Sequence, residues 1–261
     1  MIEHLGMNKA ELKEFLDEKY LQYNCLKFIE SDPITIPHLF SRKEDIEIAA
    51  FLSATIAWGQ RPTIIRNATK LMEMMGGEPY NFIMGLKEND LRRFDSFVHR
   101  TFNNLDCHYF ISALAQIYQR RGGLEQLFAE AYAYDQTTKS AITLFREQFL
   151  SFQPQQRTGK HIANPSKGSS AKRINLFLRW MVRSSTCGVD FGIWKSIPTS
   201  VLMMPLDVHS GNVARKLGLL QRKQNDWQAV EELTTNLREF DANDPVKYDF
   251  ALFGLGIFEK F

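Results

Sequence analysis

The sequence predicts an all-α protein built as two helical lobes with a cleft between them. Three observations predict it. Nearly every periodic segment repeats its apolar residues at three- and four-residue spacing, the period of a helix. Runs of Val, Ile and Thr with strict polar alternation are missing, so no strand is expected. One segment, 153–168, interrupts the helical pattern with Pro154, Gly159, Pro165 and Gly168, and a connection that long marks a boundary between lobes.

The elements follow in order. Residues 8–29 form an amphipathic helix with Leu12, Phe15, Leu16, Tyr20 and Tyr23 on one side, stopped by Ser31-Asp32-Pro33. Ser41 is a candidate N-cap with Glu44 completing a capping box, and opens a helix to about Trp58. That helix is apolar nearly all round, which places it at the centre of its lobe. After Gly59 and Pro62 a helix runs to Met75, where Gly76-Gly77 ends it. Helices are expected at about 105–121, 124–132 and 137–151, completing a first lobe over 42–152. Beyond the 153–168 loop come helices at about 169–183, 208–217, 227–240 and 245–258, the last with Pro245 in its first turn after Asp241 and Asp244. They make a second lobe over 169–261, on which the 8–29 helix packs, so that 1–261 is one folded unit.

Composition excludes several classes. Of 261 residues, 44% are hydrophobic and 24% charged, as in an ordinary globular protein. No apolar run reaches the roughly 20 residues of a membrane span. The first 19 residues have no apolar core of a signal peptide, so a cytoplasmic location and no membrane partner are expected. Cys25, Cys107 and Cys187 are too few and too scattered for four-cysteine ligation of an iron-sulfur cluster, and no metal or other cofactor is expected.

The net charge of +2 hides a local imbalance. From Gln148 to Val189 there is no acidic residue, against seven basic ones: Arg157, Lys160, Lys167, Lys172, Arg173, Arg179 and Arg183. Such a segment is either a phosphate-binding footprint or a solvated face. At 100° per residue, Lys172, Arg179 and Arg183 fall within about 20° of one line, opposite Ile174, Phe177, Leu178 and Met181. Asp207 follows Pro205 and precedes an amphipathic helix that ends at Gly218, so by itself it reads as an N-cap.

Other features of the same residues resemble a known family. Leu206-Asp207-Val208-His209-Ser210-Gly211-Asn212-Val213-Ala214-Arg215-Lys216-Leu217-Gly218-Leu219 resembles the V-D-T-H-V-x-R-V-x-x-R-L-G-L segment of helix-hairpin-helix DNA glycosylases. Phe250-Ala251-Leu252-Phe253-Gly254-Leu255-Gly256 is similar to the F-N-x-A-L-x-x-L-G stretch that closes that domain. Phe51-Leu52-Ser53-Ala54-Thr55 is similar to its early L-L-S-x-Q helix, without the Gln. The matches span about 45–258 in the superfamily's order. The segment 194–203 departs from the hairpin L-P-G-V-G-x-x-T-A: Pro198 is kept and the glycines are not. The whole chain also resembles a bacterial family of unknown function related to these enzymes.

The resemblance implies a role for each candidate residue. Asp207 stands at the essential aspartate. Lys172, Ile174, Arg179 and Met181 are similar to the K-T-I-V-F-x-V-K-M segment of archaeal 8-oxoguanine glycosylases, which carries a catalytic lysine; Lys195, nearer Asp207 in sequence, is the alternative. Trp58 and Gln60 lie where the superfamily builds its base pocket, although Trp58 by itself reads rather as a core-packing residue. Lys167, Arg173, Arg179 and Arg183, with His209 and Arg215 of the Asp207 motif, are the candidate DNA contacts. The implied function is excision of a damaged base, such as an oxidised purine, by a monomer. The alternatives are a DNA-binding protein that keeps the scaffold without the chemistry, and a helical interaction module.

Overall fold

The computed structural model describes residues 7–152, 157–184 and 186–261. The protein is all-α. In chain order the α-helices are α1 (Lys9–Tyr23), α2 (Leu26–Glu30), α3 (Lys43–Thr55), α4 (Arg61–Met74), α5 (Pro79–Met84), α6 (Asn104–Arg121), α7 (Leu124–Ala133), α8 (Thr138–Phe149), α9 (Lys172–Val182), α10 (Val208–Lys216), α11 (Trp227–Arg238) and α12 (Tyr248–Ile257). Between α5 and α6 lies an antiparallel ribbon of two two-residue strands, β1 (Val98–His99) and β2 (Phe102–Asn103), paired Val98 to Asn103 and His99 to Phe102. The expectation of no strand overlooked this ribbon because two residues are too few to show alternation.

The chain divides into a middle unit, Ile29–Asn164, and a terminal unit formed by Met1–Phe28 with Pro165–Phe261. In the middle unit, every residue of α3 from Ile46 to Thr55 is buried, which is why its sequence is apolar all round. Phe51 sits among Phe110, Phe145 and Phe149, with ring centroids 5.4–5.9 Å away. The one carboxylate in that run, Glu47, is buried and accepts a 2.6 Å bond from the Tyr118 hydroxyl. The expected capping box does not form: Arg42 is the N-cap residue, without a side-chain bond, and Glu44 pairs with Arg42 at 3.1 Å. Within the expected connecting segment, Thr158–His161 and Pro165–Lys167 are 3-10 turns, and 153–156 lie outside the described residues.

In the terminal unit the expected 8–29 helix is two pieces. Asn8 caps α1 with a full capping box, and the helix ends at Asn24, whose amide donates to the Tyr20 carbonyl. The face with Leu12 and Leu16 packs along α12. The approach is close enough that a Cβ on Gly254 would fall inside the Tyr23 ring. On its other side α12 meets α10, where a Cβ on Gly256 would come 3.2 Å from Val213 and 3.3 Å from His209. Glycine at both positions therefore lets α12 lie between two helices at backbone contact.

Candidate functional site: a lysine–aspartate pair at two helix starts

Asp207 and Lys172 each open a helix. The Asp207 backbone is extended, and its Oδ1 accepts the amides of His209 at 2.9 Å and Ser210 at 3.0 Å, which caps α10. Ser210 answers by taking the Asp207 amide on its Oγ at 3.0 Å, closing a reciprocal box. The hydroxyl also donates to Oδ1 at 3.2 Å. The cap therefore occupies one carboxylate oxygen. The other, Oδ2, faces the Lys172 amine at 3.6 Å. Both side chains reach solvent, 28% exposed for Lys172 and 24% for Asp207.

Lys172 is held there by the way α9 begins. Ala171 precedes it in the left-handed region, at φ 49°, while its side chain is buried. A β-carbon makes that conformation costly, so packing has to enforce it. The Asn175 amide donates to the Ala171 carbonyl at 2.9 Å, and the Asn175 side chain to the Ser170 carbonyl at 3.1 Å. Two residues before Ala171, Ser169 forms an isolated backbone bridge with Asp226, the N-cap of α11. The loop before α11 also ties α10: Asn225 Nδ2 donates to the Asp207 carbonyl at 3.0 Å. Gly211 makes room for this, since a Cβ there would meet Asn225 Oδ1 at 2.9 Å. The starts of α9, α10 and α11 are thus fastened to one another, and the pair sits at that junction.

Two of the expected DNA contacts are corrected. Arg179 and Arg183 do share a face of α9 with Lys172, but that face turns inward, and they are 2% and 1% exposed. Arg179 pairs with Asp190 at 3.3 Å and with Asp249; Arg183 pairs with Asp190 at 2.8 Å and Asp244 at 2.8 Å, and donates to the Tyr20 hydroxyl at 2.8 Å. Both guanidinium groups lie over the Phe250 ring, at 4.3 and 5.5 Å. The acids that neutralise them come from outside the acid-free stretch, so a local charge count could not see them. The Arg215 expectation changes for a similar reason: its guanidinium donates to the carbonyls of Arg222 at 2.8 Å and Lys223 at 3.0 Å, bracing the loop that carries Asn225.

The remaining candidates are placed as follows. Lys167 and His209 are exposed. Arg173 is half-buried, and desolvation lowers its pKa to about 10. Lys195 is exposed, with its amine 2.6 Å from the Gly192 carbonyl, whereas Lys172 is the cation paired with Asp207. Trp58 and Gln60 belong to the middle unit. Trp58 is half-exposed, edge-on to His99 at 4.9 Å and stacked on His161 at 6.0 Å, and Gln60 is exposed at the start of α4. His161 in turn lies 3.1 Å from the buried Asp106, which also receives Arg157 and Thr158 at 3.0 Å.

Sequence reasoning missed Asp249, Asp190 and Asn225. Asp249 carried a usable signal: it is the one charged residue in the apolar run from Tyr248 to Ile257, and a carboxylate in a buried helix needs a partner. Among the described residues no group of three or more His, Cys, Asp or Glu side chains could hold a metal ion, and no helix is long and apolar enough to cross a membrane.

Fold and site together define a helical protein that presents a solvent-reachable lysine–aspartate pair at the junction of three helix starts. The chain belongs to the family described as protein of unknown function (DUF2400), whose model matches residues 32–258. No curated protein and no solved structure matches the chain.

Proposed function

We propose that this chain is a DNA N-glycosylase with abasic-site lyase chemistry, acting on a damaged base, with Lys172 as the nucleophile and Asp207 as its charged partner. The observation that carries the proposal is the 3.6 Å approach of the Lys172 amine to Asp207 Oδ2. Two separate resemblances, from different parts of the chain, single out these two residues, and the fold puts them in contact at a solvent-reachable place. The likeness of the Lys172 segment to archaeal 8-oxoguanine glycosylases points to an oxidised purine as substrate.

The geometry suits the chemistry. The Lys172 ammonium first gives up a proton to water; the freed amine then forms a bond to C1′ of the sugar as the C1′–N bond to the base breaks, and the base departs with that electron pair and takes up a proton from water. Asp207 Oδ2 stabilises the positive charge that develops on the sugar and takes the proton the attacking amine sheds. The sugar then opens to a Schiff base with Lys172, from which β-elimination cleaves the strand. Because the α10 cap uses Oδ1, Oδ2 is available for these tasks without unwinding the helix.

The test is borohydride trapping on duplexes carrying 8-oxoguanine or an abasic site. A covalent protein–DNA adduct that is lost in Lys172→Ala and kept in Lys195→Ala is the expected outcome. An adduct that survives Lys172→Ala moves the nucleophile elsewhere. Protein that binds DNA but never traps belongs to a second reading, the scaffold without the chemistry. One observation favours that reading: the 194–203 segment forms a 3-10 turn at Thr199–Val201 after Pro198 and has no glycine whose bare backbone could approach a phosphate.

A further inference from the structure

The inward face of α9 joins the Lys172–Asp207 pair to a buried cluster of charges. Its three cations, Lys172, Arg179 and Arg183, are paired with four carboxylates, Asp207, Asp190, Asp249 and Asp244. The cluster therefore holds one carboxylate more than it has cations. Two of the four, Asp190 and Asp249, lie out of water, where an ionised carboxylate with too few donors is costly and the cheapest relief is a proton.

The hydrogen bonds single out which one. Asp190 accepts from both guanidinium groups. Asp244 takes two bonds from Arg183 Nε, at 3.1 and 2.8 Å, and its side chain is 23% exposed, so water shares its charge. Asp249 is 6% exposed and, among the described residues, accepts a single side-chain bond, from Arg179 Nη1. It also lies within electrostatic reach of both Asp207 and Lys172.

We propose that Asp249 holds the odd proton of this cluster and so acts as a positioning residue for the Lys172–Asp207 pair. The inference rests on the functional reading above and extends it one group inward. While Asp249 is neutral, Asp207 is the carboxylate that draws the Lys172 ammonium. Once Asp249 ionises, a second negative charge competes for it. Burial raises the Asp249 carboxyl to about 6 against the pull of Arg179, with the Asp207 charge adding to the rise, so this exchange falls within the working range of a cell. Of the other charged groups on elements packed against α12, Glu14 and Glu18 on α1 and Lys216 on α10 are exposed to water, which screens them, and the rest have partners apart from His209. On α1, Asp17 is bound to Lys13, Tyr248 and Lys247, Tyr20 to Arg183, and Lys19 and Tyr23 to Glu259. In the turn before α12, Lys247 also holds Asp241 at 2.8 Å. His209 on α10 is exposed and lies near Gly256, so a variant without its imidazole serves as the control.

The experiment follows the lysine directly, in the full chain and without DNA. Lysine amines are reductively methylated with a carbon-13 label, which keeps their charge, and the Lys172 resonance is assigned by its absence in Lys172→Arg. Wild type and His209→Gln should show a step in that resonance near pH 6. Asp249→Asn should abolish the step, and Asp249→Glu should keep one at a shifted pH. A wild-type resonance without the step, or a step that persists in Asp249→Asn, overturns the proposal. Should Asp249→Asn fail to fold, a step unmoved by Asp249→Glu overturns it as well. Trapping by unmodified protein on abasic duplexes is run in parallel. Failure to trap removes the lyase reading and leaves the Asp249 result to stand or fall on the resonance, so the two failures are distinguishable.

Discussion

At the scale of single residues, the two oxygens of Asp207 have separate tasks. Oδ1 caps α10 and Oδ2 faces Lys172, so capping and the proposed catalytic role are compatible in one side chain. Asparagine reproduces the first task and fails the second, because it caps a helix about as well and carries no charge. Asp207→Asn is expected to change unfolding free energy by less than about 1 kcal/mol. Adduct formation on damaged or abasic DNA is expected to fall at least roughly a hundredfold, the low end for a lost acid–base group. Denaturant titration and trapping, side by side, check both. Equal trapping by wild type and Asp207→Asn would leave Asp207 as a cap only. Lys167, exposed and outside the buried network, is the residue for testing phosphate contact. Lys167→Ala is expected to weaken binding to all sequences alike and to make the loss of affinity with salt shallower, read from binding isotherms at several salt concentrations.

At the scale of elements, the site depends on how closely helices approach. α1 lies on α12 through Gly254, against the Tyr23 ring, whose hydroxyl is raised to about 12 by burial and by its bond to Glu259. Adding a methyl group there forces the ring or the helix to move. Gly254→Ala is expected to destabilise the protein by about 1–3 kcal/mol, the usual range for overpacking. Urea unfolding measures it, and Tyr23→Ala in the same chain should recover part of the loss because the two residues are in contact. An additive double mutant would show that the close approach is not what Gly254 provides. Gly211 plays the corresponding part near the pair, leaving space for the Asn225 amide that holds the Asp207 carbonyl. The Cβ of Gly211→Ala would meet only the ends of two side chains, Asn225 and Arg215, so trapping should suffer more than stability.

At the scale of the whole molecule, the buried charges around α9 decide which substitutions the fold tolerates. Reversing Arg179 or Arg183 to Glu does not probe DNA binding, because each would strand buried carboxylates. Arg179→Met is expected to cost about 3–5 kcal/mol, the penalty for breaking a buried ion pair from one side. Asp249 gives this burial a pH signature. Its folded pKa of about 6 is raised above the unfolded value of 3.8. Its contribution to stability is therefore fully present below pH 3.8 and is lost as pH rises through 6. Relative to Asp249→Asn, wild type is expected to lose on the order of 2–3 kcal/mol across that window, because each pH unit between the folded and unfolded pKa is worth about 1.4 kcal/mol. Denaturant unfolding at pH 4 and 7 checks the sign; a difference that does not change with pH would contradict it.

What the sequence by itself determined was local. Apolar spacing located the main helices, and the all-buried α3 was recognisable because no face of it is polar. Asp207 as a cap was legible because capping needs only the next three residues. The placing of Lys172, Arg179 and Arg183 on one line of α9 was also legible, since it follows from 100° per residue. Helical geometry does not say which way that line faces. Only the tertiary structure decided that its two arginines enter the core, because Asp190, Asp244 and Asp249 arrive from other parts of the chain to meet them. The same holds for the pair at the candidate site. Lys172 and Asp207 are 3.6 Å apart because the loop at 225–226 fastens the start of α9 to that of α10, a long-range contact that no local period records.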